Sequence, residues 1–177
     1  MQRRSFLRLS AGAMASTVSH AQSSPPPKAS LVSAGQDRFN QPHNMGITIN
    51  NFKVSGKDTA DGLFALEQTF HERGGPPRHL HPHQDEWFYA LEGTFQFEIG
   101  ESKFTLHPGD SILAPRNVPH VWAFVGTGTG RILVSFAPAG KMEAFFDHIA
   151  ANHSMPSQTP ELWSSYEMQL LGPPLKI

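Results

Sequence analysis

Two histidines two residues apart, His79 and His81, followed by Glu86, are the residues whose types and spacing best suit chemistry. Side chains two apart in a strand project to the same face, so both imidazoles can hold one ion. His120, delivered by a turn onto the start of a later apolar run, supplies a fourth ligand in this interpretation. Imidazole and carboxylate form a mixed nitrogen and oxygen set that suits a divalent transition metal, whether Fe, Mn, Ni, Co, Cu or Zn.

Each of these residues also has a simpler interpretation. The two close histidines could be a solvated pair in a proline-rich turn, and Glu86 could make a surface ion pair. His120 could be a core histidine hydrogen-bonded to backbone. Two observations favour the metal site. Glu86 has the same parity as Phe88, on a face expected to be buried, and the two histidines, Glu86 and His120 are in register with one another.

His83 has the same parity as His79 and His81, but Pro82 before it and Gln84 after it favour a turn. The sequence therefore places His83 at the rim of the site. The histidines with no partner at ligand spacing are given no role: His20, His43, His71, His107, His148 and His153.

Two motifs in this stretch resemble those of the cupin superfamily, His-x-His-x(4)-Glu-x(6)-Gly and Gly-x(5)-Pro-x-Gly-x(2)-His-x(3)-Asn. The matched positions are His79, His81, Glu86, Gly93, Gly109, Pro115 and His120. The departures are Asn117 for the second Gly, Phe124 for the Asn, and an opening Gly displaced to Gly74 or Gly75. Asn tolerates a left-handed turn nearly as Gly does, and no departure touches a ligand.

The Gly-Gly-Pro-Pro-x-His-x-His start resembles small single-domain cupins of the quercetin 2,3-dioxygenase type. The resemblance implies a metal held by His79, His81, Glu86 and His120 that binds an enolate substrate and dioxygen. It also implies that Glu86 is both ligand and catalytic base. Metal coordination lowers the basicity of a carboxylate, so the double role needs Glu86 to be loosely or intermittently bound.

The elements that must position these residues are many short apolar runs separated by turns. The runs are residues 47–54, 63–70, 86–91, 94–99, 103–106, 111–114, 120–125 and 132–136. Gly and Pro occupy the breaks between them, and Phe95, Phe97 and Ile99 alternate with polar residues as in a half-buried strand. This pattern predicts an all-β chain, and with the motifs it predicts a single-domain cupin jelly-roll β-barrel with short C-terminal helices.

The predicted organisation has four segments. Residues 1–21 are a signal peptide, 22–44 a flexible linker and N-terminal arm, 45–137 the cupin barrel, and 138–177 a C-terminal helical extension. In the extension, Met142, Phe145, Phe146 and Ile149 fall on one helical face. Thr159 and Pro160 are suited to begin a second helix that carries Trp163 and packs outside the barrel or at its mouth.

The first residues include Arg3-Arg4-Ser5-Phe6-Leu7, which resembles a twin-arginine export signal. The apolar run behind it is too short to span a bilayer. The sequence therefore predicts a periplasmic or secreted protein that uses the twin-arginine export machinery, with no membrane span. The alternative is a basic tail.

Composition narrows the classes of partner. The chain has 14 Lys and Arg, 15 Asp and Glu, and no Cys. Loss of three N-terminal arginines with the signal leaves a formal charge of about −4, which gives no reason to bind nucleic acid or anionic lipid. Without Cys there is no disulfide framework and no thiolate chemistry.

A three-His, one-Glu site leaves one or two metal positions open, which favours functional use over a structural role. The predicted substrate pocket is apolar and suits a small aromatic or enolisable substrate; its residues are Phe88, Phe95, Phe97, Trp122 and Phe136, with Phe104 as a further candidate. Ordinary barrel core is the other interpretation of these rings.

These observations predict a metal-dependent oxidoreductase, most simply a dioxygenase. A non-catalytic small-ligand-binding cupin and a metal-dependent isomerase or lyase are the alternatives. Cupins that resemble this chain commonly pair long strands between subunits, so the resemblance implies a homodimer through residues 47–54 and 63–70.

Overall fold

The computed structural model describes residues 29–177, and the predicted signal peptide lies outside them. The strands are β1 (His43–Asn44), β2 (Thr48–Val54), β3 (Phe64–Phe70), β4 (Pro77–Leu80), β5 (Asp85–Glu92), β6 (Phe95–Ile99), β7 (Ser102–Leu106), β8 (Ser111–Ala114), β9 (His120–Phe124), β10 (Gly130–Ala137) and β11 (Gln169–Pro174). The helices are α1 (Met142–Ala150) and α2 (Pro160–Ser165), with a short 3₁₀ turn at Gly56–Asp58.

The strands form two antiparallel sheets that face one another. The six-stranded sheet has the order β1-β2-β3-β10-β5-β8, and the five-stranded sheet has the order β11-β4-β9-β6-β7. This is the predicted all-β jelly roll, but within the described residues the two sheets are separate and do not close into one hydrogen-bonded barrel.

The eight apolar runs all become strands, with ends within two residues of those predicted from the sequence. The C-terminal segment differs from the prediction. Residues 138–177 contain the two expected helices, but they also contain β11, which pairs with β4 at the edge of the five-stranded sheet. Pro173 and Pro174 suit an edge strand because proline cannot donate a ladder hydrogen bond.

The part of the predicted linker that the structure describes is held against the six-stranded sheet. Asp37 is buried, and its carboxylate accepts hydrogen bonds from the backbone N–H groups of Phe39 at 2.7 Å and Phe52 at 2.6 Å. The backbone N–H of Arg38 donates to the carbonyl of Phe52 at 2.7 Å. The arm therefore lies along β2 and covers part of its free edge.

The space between the sheets is filled by aromatic rings. Trp122 on β9 stacks on Phe97 with centroids 5.6 Å apart and meets Phe88 and Phe70 edge-on at 5.4 and 5.6 Å. All four rings are almost fully buried. This cluster fixes β9 relative to β5, and these strands carry two of the predicted metal ligands.

Helix α1 covers one end of the jelly roll. The four residues predicted to share a face are all buried: Met142, Phe145, Phe146 and Ile149. Two acidic residues of the helix anchor it. Glu143 accepts hydrogen bonds from Ser55 Oγ and from the Gly56 N–H, both at 2.8 Å, and Asp147 pairs with His43 at 2.9 Å. No helix in residues 29–177 has the length and apolar character needed to cross a membrane.

Two positions explain the departures from the motif pattern. A Cβ on Gly75 would lie 2.0 Å from the carbonyl oxygen of Trp122, so only glycine fits where the chain passes this close to β9. Asn117 has φ +62°, the left-handed conformation expected of a residue that replaces Gly. The structure therefore places Asn117 in the turn conformation that the motif's glycine would adopt.

Candidate metal centre

Three strands bring the predicted ligands together. His79 is on β4, His81 follows the end of that strand, Glu86 is on β5 and His120 opens β9. His79 and His120 are direct partners in the antiparallel pairing of β4 with β9. One ligand atom from each of the four residues lies within 4.8 Å of every other. The ligand set predicted from the sequence is therefore one compact cluster.

The carboxylate of Glu86 lies at the centre of this cluster. Its Oε2 is 2.9 Å from His120 Nε2, 3.3 Å from His81 Nε2 and 4.0 Å from His79 Nε2. Each of the four residues is at most 4% exposed. Buried charged and polar side chains need partners, and a cation between three imidazoles and a carboxylate provides one for all of them.

Hydrogen bonds behind the site set the orientation of two imidazoles. His79 Nδ1 lies 2.7 Å from the carbonyl oxygen of Pro77, and His120 Nδ1 lies 3.1 Å from that of Val118. A carbonyl oxygen only accepts, so both rings carry a proton on Nδ1 and direct Nε2 toward the cluster. Metal-bound histidines commonly have this arrangement.

His81 shows most directly that the residues fit a metal ion. It is buried, and neither of its ring nitrogens has a hydrogen-bond partner among the described residues. A buried nitrogen without a partner costs free energy, whereas Nε2 as a ligand would be satisfied. Three nitrogens and one oxygen at these separations suit a divalent transition metal.

The protonation states also suit a cation. Burial is the main cause that holds the pKa of His79 well below its usual range, and the neighbouring His120 and His81 add to it. Burial acts to raise the pKa of Glu86, but the imidazoles of His120 and His81, whose Nε2 atoms lie 2.9 and 3.3 Å from its carboxylate, outweigh burial and leave that pKa below its usual range. Neutral His79 and ionised Glu86 are the forms that bind metals.

The turn before His120 is tied to the turn after His81. The N–H of Asn117 donates to the carbonyl of His81 at 2.8 Å. Arg116 forms an ion pair with Asp85, the residue before Glu86, at 2.6 Å, and its N–H donates to the same carboxylate at 2.9 Å. These contacts hold the ligands of the two motifs in register.

His83 lies outside the cluster, as predicted. The chain bends at Pro82 and His83, and the side chain of His83 is exposed. The metal cluster among the described residues does not include it.

A cavity opens above the cluster and contains about 510 Å³ of empty space, including its mouth. His79, His81 and Glu86 form one part of its wall. The rest is mainly apolar: Met45, Phe70, Pro76, Trp122, Val134, Phe136, Met142, Phe145, Phe146, Met155, Pro156, Trp163 and Met168, with Thr48 and Gln68 as polar members.

The predicted substrate pocket is corrected in part. Trp122 and Phe136 line the cavity, whereas Phe88, Phe95 and Phe97 do not. These three rings are at most 1% exposed and pack around Trp122 between the sheets, so they are core residues. The further candidate Phe104 is 43% exposed on β7. Ring type alone does not separate the wall of a cavity from the core.

Sequence reasoning missed the residues that close the cavity. The ring of Trp163 on α2 lies 4.9 Å from that of His79, and Phe145 on α1 packs against Trp163 at 5.5 Å. The helical spacing of the C-terminal residues predicted that they are buried. It did not predict which part of the molecule they pack against. All four methionines of the described chain, Met45, Met142, Met155 and Met168, also line the cavity.

The comparisons with known proteins agree with this geometry. Residues 66–136 match the family model described as the cupin domain. The matched segment contains all four ligands. A comparison with curated proteins finds no significant match.

Several solved structures are similar to this chain at low sequence identity. A predicted oxalate decarboxylase from Thermotoga maritima is 13% identical, with a TM-score of 0.51 over 55% of this chain and 91% of that chain. An RmlC-like cupin from Shewanella frigidimarina is 21% identical, with a TM-score of 0.49 over 63% of this chain and 96% of that chain. KdgF from Halomonas sp. is 23% identical, with a TM-score of 0.46 over 52% of this chain and 79% of that chain. The likeness to the Thermotoga maritima structure concerns the fold and not the reaction.

Proposed function

We propose that this protein is an exported, metal-dependent oxidoreductase, a dioxygenase that acts on a small aromatic or enolisable substrate. The observation that carries the proposal is the position of the His79, His81, Glu86 and His120 cluster in a mainly apolar cavity. A pocket that combines a few convergent polar groups with apolar walls is typical of small-molecule sites.

A divalent transition metal held by the four ligands would supply a Lewis-acidic and redox-active centre with one or two open positions. His79, His81 and His120 would bind it through Nε2, and the hydrogen bonds of His79 and His120 to backbone carbonyls keep those two rings oriented. Trp163 and Phe145 cover the site and limit access of water.

In this proposal Glu86 takes the proton that an enolisable or phenolic substrate loses when it binds as an anion. A carboxylate oxygen of Glu86 is the proton acceptor, and His120 Nε2, 2.9 Å away, lies within hydrogen-bonding distance of the same carboxylate. The low pKa of Glu86 makes it a weak base, so proton transfer requires its contacts with the histidines to loosen.

The cavity wall argues for an apolar substrate and against a small dianion. None of the described residues that line the cavity is Lys or Arg. A dicarboxylate such as oxalate would enter without a cationic side chain to balance its second charge, which is costly in an apolar site. Oxalate decarboxylation is therefore not proposed for this chain.

A non-catalytic ligand-binding protein is the second candidate, because a metal held by these four residues in an apolar cavity could also anchor a small ligand without turnover. The export route is part of the main proposal and depends on Arg3 and Arg4, which lie outside the described residues.

The test is oxygen consumption by protein reconstituted separately with Fe, Mn, Co, Ni, Cu and Zn and supplied with a panel of flavonols and small enolisable ketones. The proposal expects substrate-dependent oxygen uptake that Glu86→Gln abolishes. Stoichiometric ligand binding without oxygen uptake for every metal would support the binding protein instead. Product formation at the same rate without oxygen would support an isomerase or lyase.

A further inference from the structure

Besides the ligand Glu86 and His43, the inner face of the six-stranded sheet carries three adjacent polar residues. Thr48 and Asn50 on β2 and Gln68 on β3 point inward among phenylalanines, and each is at most 6% exposed. Asn50 and Gln68 are direct cross-strand partners, and Thr48 is their diagonal neighbour, opposite Phe70. Three such residues side by side in a core are unusual unless their polar atoms are used.

Their polar atoms are not satisfied within the described chain. The oxygens Thr48 Oγ1, Asn50 Oδ1 and Gln68 Oε1 are buried without a hydrogen-bond partner, and so is Trp122 Nε1 on the opposite sheet. Thr48, Gln68 and Trp122 all line the cavity that contains the metal cluster. Trp122 meets Phe70 at 5.6 Å, Thr48 is the cross-strand partner of Phe70, and Gln68 precedes Phe70 by two residues on the same face of β3.

The strand register places Gln68 far from Glu86. Gln68 is paired with Ile132 and so with the row of Ala90, four residues along β5 from Glu86 and two strands away. On a flat sheet this is roughly 13 Å along the strands and about 10 Å across them, about 16 Å between backbones. The side chains of both residues face the cavity and shorten the distance between their tips.

We propose that Thr48, Gln68 and Trp122 form a second binding pole of the cavity, which recognises a hydroxyl group at the end of the ligand remote from the metal. The chemistry of the three atoms selects this group. Trp122 Nε1 only donates, so the ligand atom must accept. Gln68 Oε1 only accepts, so a group that pairs with both must also donate, and the Thr48 hydroxyl can take either role. A hydroxyl does both.

The inference deepens the proposed function because it concerns the same cavity, and it defines the ligand as a molecule with two poles. One end chelates the metal, the middle is apolar and contacts the methionine-rich wall, and the far end carries a hydroxyl. Methionine is flexible and polarisable, so this wall can adapt to the middle section while the two poles fix orientation.

The test measures binding and needs no turnover. Zinc-loaded protein is titrated by calorimetry with benzohydroxamate and biphenyl-4-carbohydroxamate, each with and without a terminal para hydroxyl. The hydroxamate chelates the metal, and the two lengths cover the separation of the poles. We expect the hydroxyl to increase affinity about three- to tenfold for at least one length, the range of one net hydrogen bond.

The variants Thr48→Val and Gln68→Met keep side-chain size but remove the oxygens. In each variant the gain in affinity from the hydroxyl, measured against the parent hydroxamate in the same variant, should fall to nearly onefold. Thr69→Val and Gln96→Met are matched controls because these residues are on strands of the same sheets but line no part of the cavity. They should preserve the gain.

A second measurement separates recognition from structure. If the oxygens have no partner in ligand-free protein, Thr48→Val and Gln68→Met should leave the midpoint of thermal unfolding unchanged or raise it. A clear fall for both, or a hydroxyl that brings no gain in the wild-type protein, would overturn the inference. If neither parent hydroxamate binds to metal-loaded protein, the cavity admits no chelator, and the proposed function fails with the inference. If the protein consumes oxygen with substrate but the terminal hydroxyl does not change hydroxamate affinity, the inference fails and the proposed function stands.

Discussion

The indole ring of Trp163 lies 4.9 Å from the imidazole of His79, so the C-terminal helix α2 packs directly on a candidate metal ligand. Trp163 is 1% exposed, and its Nε1 donates to the carbonyl of Ser157 at 2.8 Å. Farther along the C-terminal segment, Leu170 of β11 is the cross-strand partner of His79 on β4. The C-terminal segment therefore supports the site from two sides.

Trp163→Ala should consequently weaken both the fold and metal retention. Loss of a fully buried indole costs about 3–5 kcal/mol in free energy of unfolding, and the freed space lets His79 move. Tyr166→Ala is the control, because Tyr166 packs on Phe145 next to Trp163 but forms no ring contact with His79. Urea unfolding and metal content after dialysis against a weak chelator measure the two effects. Equal loss of metal in both variants would show that Trp163 has no specific effect on His79.

Direct removal of ligands should affect metal content more than folding. His79→Ala or His120→Ala should lose most of the bound metal and keep the circular dichroism of a folded β protein, because the aromatic core does not depend on the ion. Glu86→Gln should retain more metal than either but lose more turnover. His83→Ala is the control, since that side chain is exposed outside the cluster. A full equivalent of metal in both histidine variants, measured by elemental analysis, would exclude this ligand set.

The metal ligands were predictable because their spacing in the sequence follows from the geometry of strands. Alternation of side chains along β4 brings His79 and His81 to one side, and the motif spacing brings Glu86 and His120 into register. The strand boundaries were equally accessible, since Gly and Pro mark the turns.

The cavity was less predictable, because its wall depends on how distant elements pack. Phe97 and Trp122 are cross-strand partners with stacked rings, but one is core and the other lines the cavity. Strand β11 has two prolines, which resemble a loop signal more than a strand. The inward parity of Thr48 and Gln68 was visible in the alternation of β2 and β3, but polar residues in a predicted strand usually indicate its solvent face.

The ion pair between Arg116 and Asp85 should contribute a distinctive pH dependence. The side-chain and backbone hydrogen bonds from Arg116 lower the pKa of Asp85 to about 2, from about 3.9 in unfolded chains. A depressed pKa means that the stabilisation is complete above about pH 4 and is lost as the pH falls toward 2. The difference in unfolding midpoint between wild-type protein and Arg116→Met should therefore be constant near neutrality and shrink below about pH 4.

Both side chains of this pair are partly exposed, so the effect should be modest and should decrease with salt. Lys57→Met is the control, because Lys57 is an exposed cation that forms no ion pair within residues 29–177. If the difference between wild-type and Arg116→Met stays constant down to pH 2.5, Asp85 does not titrate through this pair.

The homodimer predicted from the sequence now has a more specific test. The two long strands expected to need covering, β2 and β3, pair with one another. The outer face of the six-stranded sheet instead carries an apolar patch of Trp87, Tyr89, Leu113 and Leu133, in which Trp87 faces Leu113 and Tyr89 faces Leu133 across neighbouring strands. Leu113 is 51% exposed.

Sedimentation velocity at micromolar concentration should show a dimer of the wild-type protein. Leu113→Lys should convert this dimer to a monomer, whereas the control Thr105→Lys should not. A monomeric wild-type protein removes the dimer.

The last prediction concerns the predicted export signal and the choice of metal. A nitrogen and oxygen site binds copper more tightly than iron or manganese by intrinsic affinity, so the ligands of this site do not exclude copper. Twin-arginine substrates typically cross the membrane folded, which allows the cluster to be filled in the cytoplasm, away from competing copper and zinc. Replacement of Arg3-Arg4 by Lys-Lys should therefore block export and leave metal-loaded precursor inside the cell.

Export of the mature chain through a signal for unfolded proteins should have the opposite outcome. The protein would then fold in the periplasm, and elemental analysis should find mostly zinc or copper, with little oxygen uptake. The control is the same mature chain behind its own first 21 residues, purified from the same compartment. Identical metal content and turnover by the two routes would show that the signal has no influence on metal loading. In that case selectivity must come from the site itself, where the fixed orientation of His79 and His120 and the unpartnered His81 are the features to alter next.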